Sequence, residues 1–372
     1  MPHPDVVVVG CGVIGASIAY YLASGGAKVV ILERGQAGGH ASRASAGLLH
    51  PISDPDAPEA FRLLSDASFA MFSALVAAIR EQTGIDAGLR QVGWLRVALQ
   101  EAAADDLRAR FRVAAPHGHL AEWLSPEEVW AMEPNLSTAA VAGLRLPAGA
   151  QVNARMLQQG LLEAAARRGA KLRIGAEAAS FVVQTGAVAG VTLSDGEVVL
   201  GGHTVVAAGA WSAGLLNQLG LSTPVRPLRG QIILLQARPP QPLSQIVFCS
   251  DVYLSPQVDG STILGATYED VGFDDRPTAV GLSFLLLNGI RVAPAYANAT
   301  FLEARIGLRP SSPDGMPILG AVPGWDGVSL AIGHSADGVL LSPITGLLIA
   351  QRVLGQSPDM SLEPFSLHRF GQ

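Results

Sequence analysis

The residues that first suggest chemistry are Gly10-Cys11-Gly12-Val13-Ile14-Gly15, a GxGxxG run, with Glu33 eighteen positions beyond the last glycine. This spacing suits a turn that cradles phosphates. Gly10 permits the tight turn, Gly12 lets backbone approach a pyrophosphate, and Gly15 lets the following helix pack close to its strand. Val13 and Ile14 open that helix, whose free N–H groups attract anions. An acid at Glu33 accepts hydrogen bonds from ribose hydroxyls and disfavours the extra phosphate of NADP. A glycine-rich turn of some other α/β protein is the competing reading, and the context described below argues against it. GxGxxG by itself does not separate FAD from NAD. Cys11 reads as a small space-filler rather than a redox thiol.

Other chemistries find little support. Cys11 and Cys249 are the two cysteines of the 372-residue chain, and there is no CxxC or HExxH, so neither a metal site nor a disulfide is expected. Net charge is −6 with no basic run, which disfavours a nucleic-acid partner. The apolar run Val6–Val9 is too short for a secretory core, and no stretch reads as the roughly 20 apolar residues that span a bilayer. A soluble cytoplasmic protein without membrane attachment is expected. With 49% apolar and 15% charged residues, the chain can bury a large core.

The elements that must position the turn are legible. Val6–Val9 reads as a buried strand, Ala16–Ala23 continues a helix ended by Gly25-Gly26, and Val29–Leu32 reads as a second buried strand. Together they form a βαβ unit. A Gly/Ser-rich stretch, Gly38–Gly47, follows. Helical patterns cover about Glu59–Arg80, Ala102–Arg112, Ala154–Arg168, Thr278–Val292 and Pro343–Leu354, with an N-cap at Ser125-Pro126-Glu127-Glu128. Gln91–Leu99 and His203–Ala208 read as strands, and Asp195-Gly196 signals a hairpin.

Four segments together resemble the D-amino-acid oxidase superfamily, most closely the glycine oxidase branch, which serves thiamine biosynthesis. They are Glu33–Leu49 (ERGQAGGHASRASAGLL), Val205–Ser212 (VVAAGAWS), Ile306–Pro310 with Asp314–Gly320 (IGLRP and DGMPILG), and Gly333–Pro343 (GHSADGVLLSP). The resemblance spans essentially the whole chain. It implies an α/β fold, with a Rossmann-type FAD-binding domain (1–85, 146–222, 303–372) interleaved with an α+β substrate domain built on an antiparallel sheet (86–145, 223–302). It also implies non-covalent FAD, because no cysteine stands near the C-terminal blocks where related sarcosine oxidases tether their flavin. Homo-oligomers occur among such relatives.

Carried over position by position, the resemblance places the cofactor against Arg34, Ser42, Arg43, Ala46, Gly47, Leu48, Ala178, Gly209 and Trp211, besides the turn and Glu33. His334, Ser335, Ala336, Asp337, Gly338, Val339 and Leu340 are expected along the flavin ring, with the helix that follows aimed at it. Arg309 matches the arginine that clamps the substrate carboxylate, a role suited to a planar, permanently charged fork. Tyr253 matches a tyrosine contacting the same carboxylate, and Tyr268 is expected to line the pocket. His40 and His50 receive no chemical role. Ala336 departs from the pattern, since glycine oxidases often carry a second arginine there. With Asp337 beside it, this predicts poor acceptance of substrates with a second anionic group.

The activity implied is oxidative deamination of glycine, small D-amino acids or N-methylglycine-type amines. Hydride transfer to flavin N5 gives an imino acid, then keto acid and ammonia, and O2 reoxidises the flavin to yield H2O2. No protein base is needed at Cα, so positioning and electrostatics are the protein's part. Two other readings stay open: a dehydrogenase using a non-O2 acceptor, and a flavin domain of RNA modification, which the acidic balance disfavours.

Overall fold

The computed structural model describes residues 3–50, 56–114, 120–237, 243–250 and 252–371. Among these the chain builds two large sheets, of nine and eight strands. The strand Val6–Val9 lies between parallel neighbours Val29–Glu33 and His203–Val206. Lys171–Ile174 and Trp325–Ile332 extend the parallel core on the two sides. Val6–Val9 is a continuous apolar run because layers cover both its faces. Val7 and Val8 are fully buried. The helix Val13–Ser24 packs over it with helices Ala154–Arg167 and Gly338–Val353.

The eight-stranded sheet runs Thr300–Ser311, Arg226–Gln236, Ser261–Gly265, Val252–Pro256, Ile246–Cys249, Trp94–Ala98, Ala142–Leu146, Glu122–Leu124. It is antiparallel except where Ile246–Cys249 meets Trp94–Ala98 in parallel, so it is mixed rather than purely antiparallel. Leu95, Val247, Leu254, Leu264 and Ile233 bury one face with Leu285 and Val292 of the helix Ala279–Val292. The other face carries Trp94, Ile246, Phe248, Tyr253 and Ile232 toward the nine-stranded sheet, as the two-residue period of a strand requires. The mixed α/β architecture expected from the resemblance is what the chain adopts.

Several local expectations hold for identifiable reasons. Ser125 and Glu128 form a reciprocal capping box at the start of Pro126–Met132. Ala187–Leu193 and Val198–Leu200 pair as a hairpin around Asp195-Gly196. The last long helix differs, starting at Gly338 rather than Pro343. Proline is tolerated inside it because the carbonyl that its missing N–H would meet, on Val339, accepts the Ser342 hydroxyl at 2.9 Å. The helix Glu59–Thr83 also corrects an expectation. At 25 residues it is long enough, and on average apolar enough, to cross a membrane by length and composition. Here Phe61, Leu64, Phe72, Leu75 and Ile79 pack into the main core.

Candidate active site

A cleft of about 1060 Å³ runs between the two sheets, from the GxGxxG turn to Arg309. At the turn, Gly10 has φ +102°, and a Cβ there would lie 2.4 Å from the Ala207 carbonyl oxygen. A Cβ on Gly15 would lie 2.0 Å from the Gly10 carbonyl oxygen. Both glycines serve the close packing of strand and helix. Gly12 differs, because a Cβ there meets nothing nearer than Ser42 Oγ at 3.4 Å, and its backbone faces the cleft. It caps the helix Val13–Ser24 without a side chain. Ser42 Oγ accepts the Val13 amide at 3.0 Å.

The Glu33 carboxylate is 9% exposed and accepts the Cys11 and Gly35 amides at 3.0 and 2.9 Å. A carboxylate has about four acceptor directions, so Glu33 retains capacity toward the cleft it lines. Beside it, the Arg34 guanidinium lies 4.0 Å from the Trp211 ring centre and 3.8 Å from Glu177. Gly209, at φ +57°, faces open space. Bare backbone at Gly12 and Gly209, a helix N-terminus, and an acid with spare acceptors form a donor and acceptor set that fits FAD.

Ile14, Ala46, Leu48, Ala178, Ser335, Ala336, Gly338 and Val339 also line this cleft. Four other residues expected at the cofactor lie outside its lining. Gly15 packs against Gly10, as above. Arg43 is exposed. Gly47, at φ +69°, sits against the Val152 carbonyl. Leu340 is buried in the core, its carbonyl accepting Ser68 Oγ at 2.7 Å. Cys11 is fully buried, and burial pushes its thiol up to about 12, which suits a space-filler.

His334 and Asp337 sit where the helix Gly338–Val353 begins. His334 is 2% exposed, and burial pulls its imidazole down to about 3, so the ring is neutral. Its Nε2 lies 3.1 Å from Thr345 Oγ1, a side chain of the same helix rather than backbone. Asp337, the N-cap, is pushed up to about 6 by burial. Its Oδ1 is 3.8 Å from His50 Nε2, and the His50 ring tilts against Trp94 at 4.1 Å.

At the far end, sheet register assembles the remaining groups. Arg309 pairs with Leu228, and Gly307 with Gly230, across adjacent strands. The guanidinium crosses Gly230, where a Cβ would come within 2.3 Å of Arg309 Nη1. Nη1 donates to the Thr267 carbonyl at 2.9 Å, and the Tyr268 ring stacks 4.2 Å from the guanidinium carbon. Tyr268 is 64% exposed, so its other face stays open. The segment carrying it is pinned by buried Arg229, which pairs with Glu269 at 2.6 Å and Asp274 at 3.2 Å. Tyr253 turns its hydroxyl toward Gly265, where a Cβ would approach to 2.5 Å. Burial raises the Tyr253 phenol above its ordinary value, against the opposing pull of the Arg309 charge, so it is a neutral donor. Arg309, Tyr253 and Tyr268 thus line the same end of the cleft.

Sequence reading missed Gly230, Trp94, Arg96, Phe248 and His50, all of which line the same cleft. Strand pairing brings most of them together, and no short motif announces it.

A parallel-sheet dinucleotide turn at one end of a cleft, with an arginine at the other, is the arrangement of a dinucleotide-dependent redox enzyme. The chain belongs to the DAO family of FAD dependent oxidoreductases, whose profile matches residues 5–352. It is an FAD-dependent oxidoreductase. It is 37% identical over 368 residues to the glycine oxidase of Geobacillus kaustophilus (strain HTA426), covering 98% of this chain and 97% of that one. The solved structure of a Geobacillus kaustophilus glycine oxidase superposes with a TM-score of 0.95 at 35% identity, covering 99% of each chain. The iminodiacetate oxidase IdaA of Chelativorans sp. BNC1 gives a TM-score of 0.89 at 33% identity, covering 97% of this chain and 98% of that one.

Proposed function

We propose that this protein is a soluble cytoplasmic oxidase of small amino acids and amines, with glycine, N-substituted glycines and small D-amino acids as its substrates. The observation that carries this reading is Arg309, held by Thr267 and Tyr268 over Gly230 at the end of the cleft opposite the FAD turn. The likeness to glycine oxidases and to an iminodiacetate oxidase supports it. We assign the chain to the thiamine-linked branch it resembles.

Bound FAD supplies the two-electron chemistry, oxidising the amine to an imine and returning the electrons to dioxygen as peroxide. The chain's residues orient the substrate. Arg309 pairs with the carboxylate through the edge of its fork that Thr267 leaves open. Tyr253 donates its hydroxyl to the same carboxylate. The neutral phenol adds no repulsion, and the apolar walls around Trp94, Phe248 and Ile232 exclude water, strengthening the ion pair. Glu33, Arg34 and the Gly10–Gly15 turn hold the cofactor at the opposite end.

Anaerobic addition of glycine, sarcosine, D-alanine, D-proline and the L-enantiomers tests this directly. Bleaching of the flavin by glycine or D-amino acids, with colour and peroxide returning in air, supports the oxidase. Bleaching that air does not reverse selects a dehydrogenase. A flavin that none of them bleaches overturns the reading.

A further inference from the structure

The loss of a cation at Ala336 predicts poor acceptance of a second anionic group, but the folded chain supplies a cation from another element. Arg96 lies on the strand Trp94–Ala98 and lines the cleft. Its neighbour across the parallel pair is Phe248, and the neighbour of Phe248 across the next pair is Tyr253. Arg96, Phe248 and Tyr253 therefore form one row across the cleft face of the sheet. Two strand spacings, about 10 Å, separate the backbones of Arg96 and Tyr253. The side chains close that gap. The Arg96 guanidinium carbon is 5.0 Å from the Phe248 ring centre, and Phe248 and Tyr253 are 5.5 Å apart ring to ring. Tyr253 in turn feels the charge of Arg309. Two arginines thus flank an aromatic pair on one wall of the site.

Acidic groups line the cleft as well. Asp337 faces His50 beside Trp94, two residues before Arg96 on the strand. Arg110, paired with Asp106 at 2.9 Å, and Asp56 also line the cleft. An arginine has five N–H donors in a planar fork, so contacts on one edge leave others for a ligand.

We propose that Arg96 is a second carboxylate-recognition residue and that the preferred substrates are amines bearing two carboxylates, one held by Arg309 with Tyr253 and the other by Arg96 over Phe248. This rests on the amine-oxidase reading above. The second carboxylate can sit on the nitrogen substituent or on the side chain.

The test compares peroxide release by the holoenzyme from glycine, iminodiacetate, D-aspartate and D-glutamate, for wild type, Arg96→Gln and Arg96→Lys. The expected result is a higher kcat/KM for one dicarboxylate than for glycine. Arg96→Gln should lower that value about tenfold or more beyond its effect on glycine, through KM, with partial rescue by Arg96→Lys. Iminodiacetate against the D-amino diacids shows where the second carboxylate sits. Equal losses for glycine and every dicarboxylate would overturn the proposal. If Arg96→Gln does not fold, calorimetric titration of wild type decides. Succinate or glutarate should bind about tenfold more tightly than acetate, with the advantage shrinking in salt, and equal affinities overturn the proposal. Failure of the underlying reading looks different: no amine bleaches the flavin, although the dicarboxylates still bind.

Discussion

The two ends of the cleft are built in different ways. At the dinucleotide end, Gly10 through Gly15 sit on one turn, and Glu33 reaches back to the Cys11 amide from the adjacent strand. At the carboxylate end, Arg309, Gly230, Tyr253, Phe248 and Arg96 come from five strands whose order in the sheet bears little relation to their order in the chain. The first end depends on backbone shape, and at Gly10 and Gly15 it leaves no room for an extra atom. The second depends on side chains aimed by register, so a single methyl on a neighbouring strand can redirect them.

The largest effect is expected at the side-chain end. Arg309→Ala should lower kcat/KM for glycine by about 10²–10³, mostly through KM, since a buried carboxylate loses its partner. Unaltered steady-state kinetics would remove Arg309 from the site. At the backbone end, two glycines separate folding from binding. Gly10→Ala should destabilise the apoprotein by about 3 kcal/mol, because its φ of +102° and the Ala207 carbonyl leave no room. Gly12→Ala, at φ −69° with space around it, should keep the denaturation midpoint while weakening FAD retention about tenfold. Equal behaviour of the pair in denaturant and flavin-release measurements would erase the distinction.

Smaller effects probe how the arginine is aimed. Tyr253→Phe should cost about tenfold in kcat/KM, the worth of one hydrogen bond to a charged group. Gly230→Ala should cost a similar factor with normal folding, because the guanidinium can shift away from the new methyl. If Gly230→Ala kept wild-type KM, the register account of Arg309 would fail.

The smallest effect is on stability against pH. Burial holds His334 at about 3 and His203 at about 4, below the usual 6.5. The unfolded chain therefore binds these protons first, and stability present above pH 6.5 is lost as pH falls toward 4. Each histidine contributes a slope of up to about 1.4 kcal/mol per pH unit. Asp337, raised to about 6 from 3.8, acts in the opposite direction over that range. Asp337→Asn should therefore steepen the acid loss seen in denaturant titrations at pH 7, 6 and 5. An unchanged slope would show that Asp337 does not hold its proton in the folded state.

Most of the dinucleotide end was readable in the residues. GxGxxG, the flanking apolar runs and Glu33 are local, and the helix start and tight turn they require follow from glycine's freedom and the strand's burial. Arg43, Gly47 and Leu340 were harder, because a motif of small residues does not say which backbone faces a ligand and which faces Val152 or Ser68. The last helix misled because Pro343 looks like a start, and its tolerance depends on the neighbouring Ser342 hydroxyl.

The sequence by itself determined that the chain carries a dinucleotide-binding turn with an acid placed at the end of the next strand, and its resemblance to a family offered Arg309 as the group to pair with a substrate carboxylate. The turn rests on backbone conformation, which residues close in the chain specify. Only the tertiary structure decided that Gly230 makes room for Arg309 and that Arg96 stands in line with Tyr253. Those contacts depend on which strands pair and in what register, and pairing is set by burying one whole face of an eight-stranded sheet rather than by any single segment.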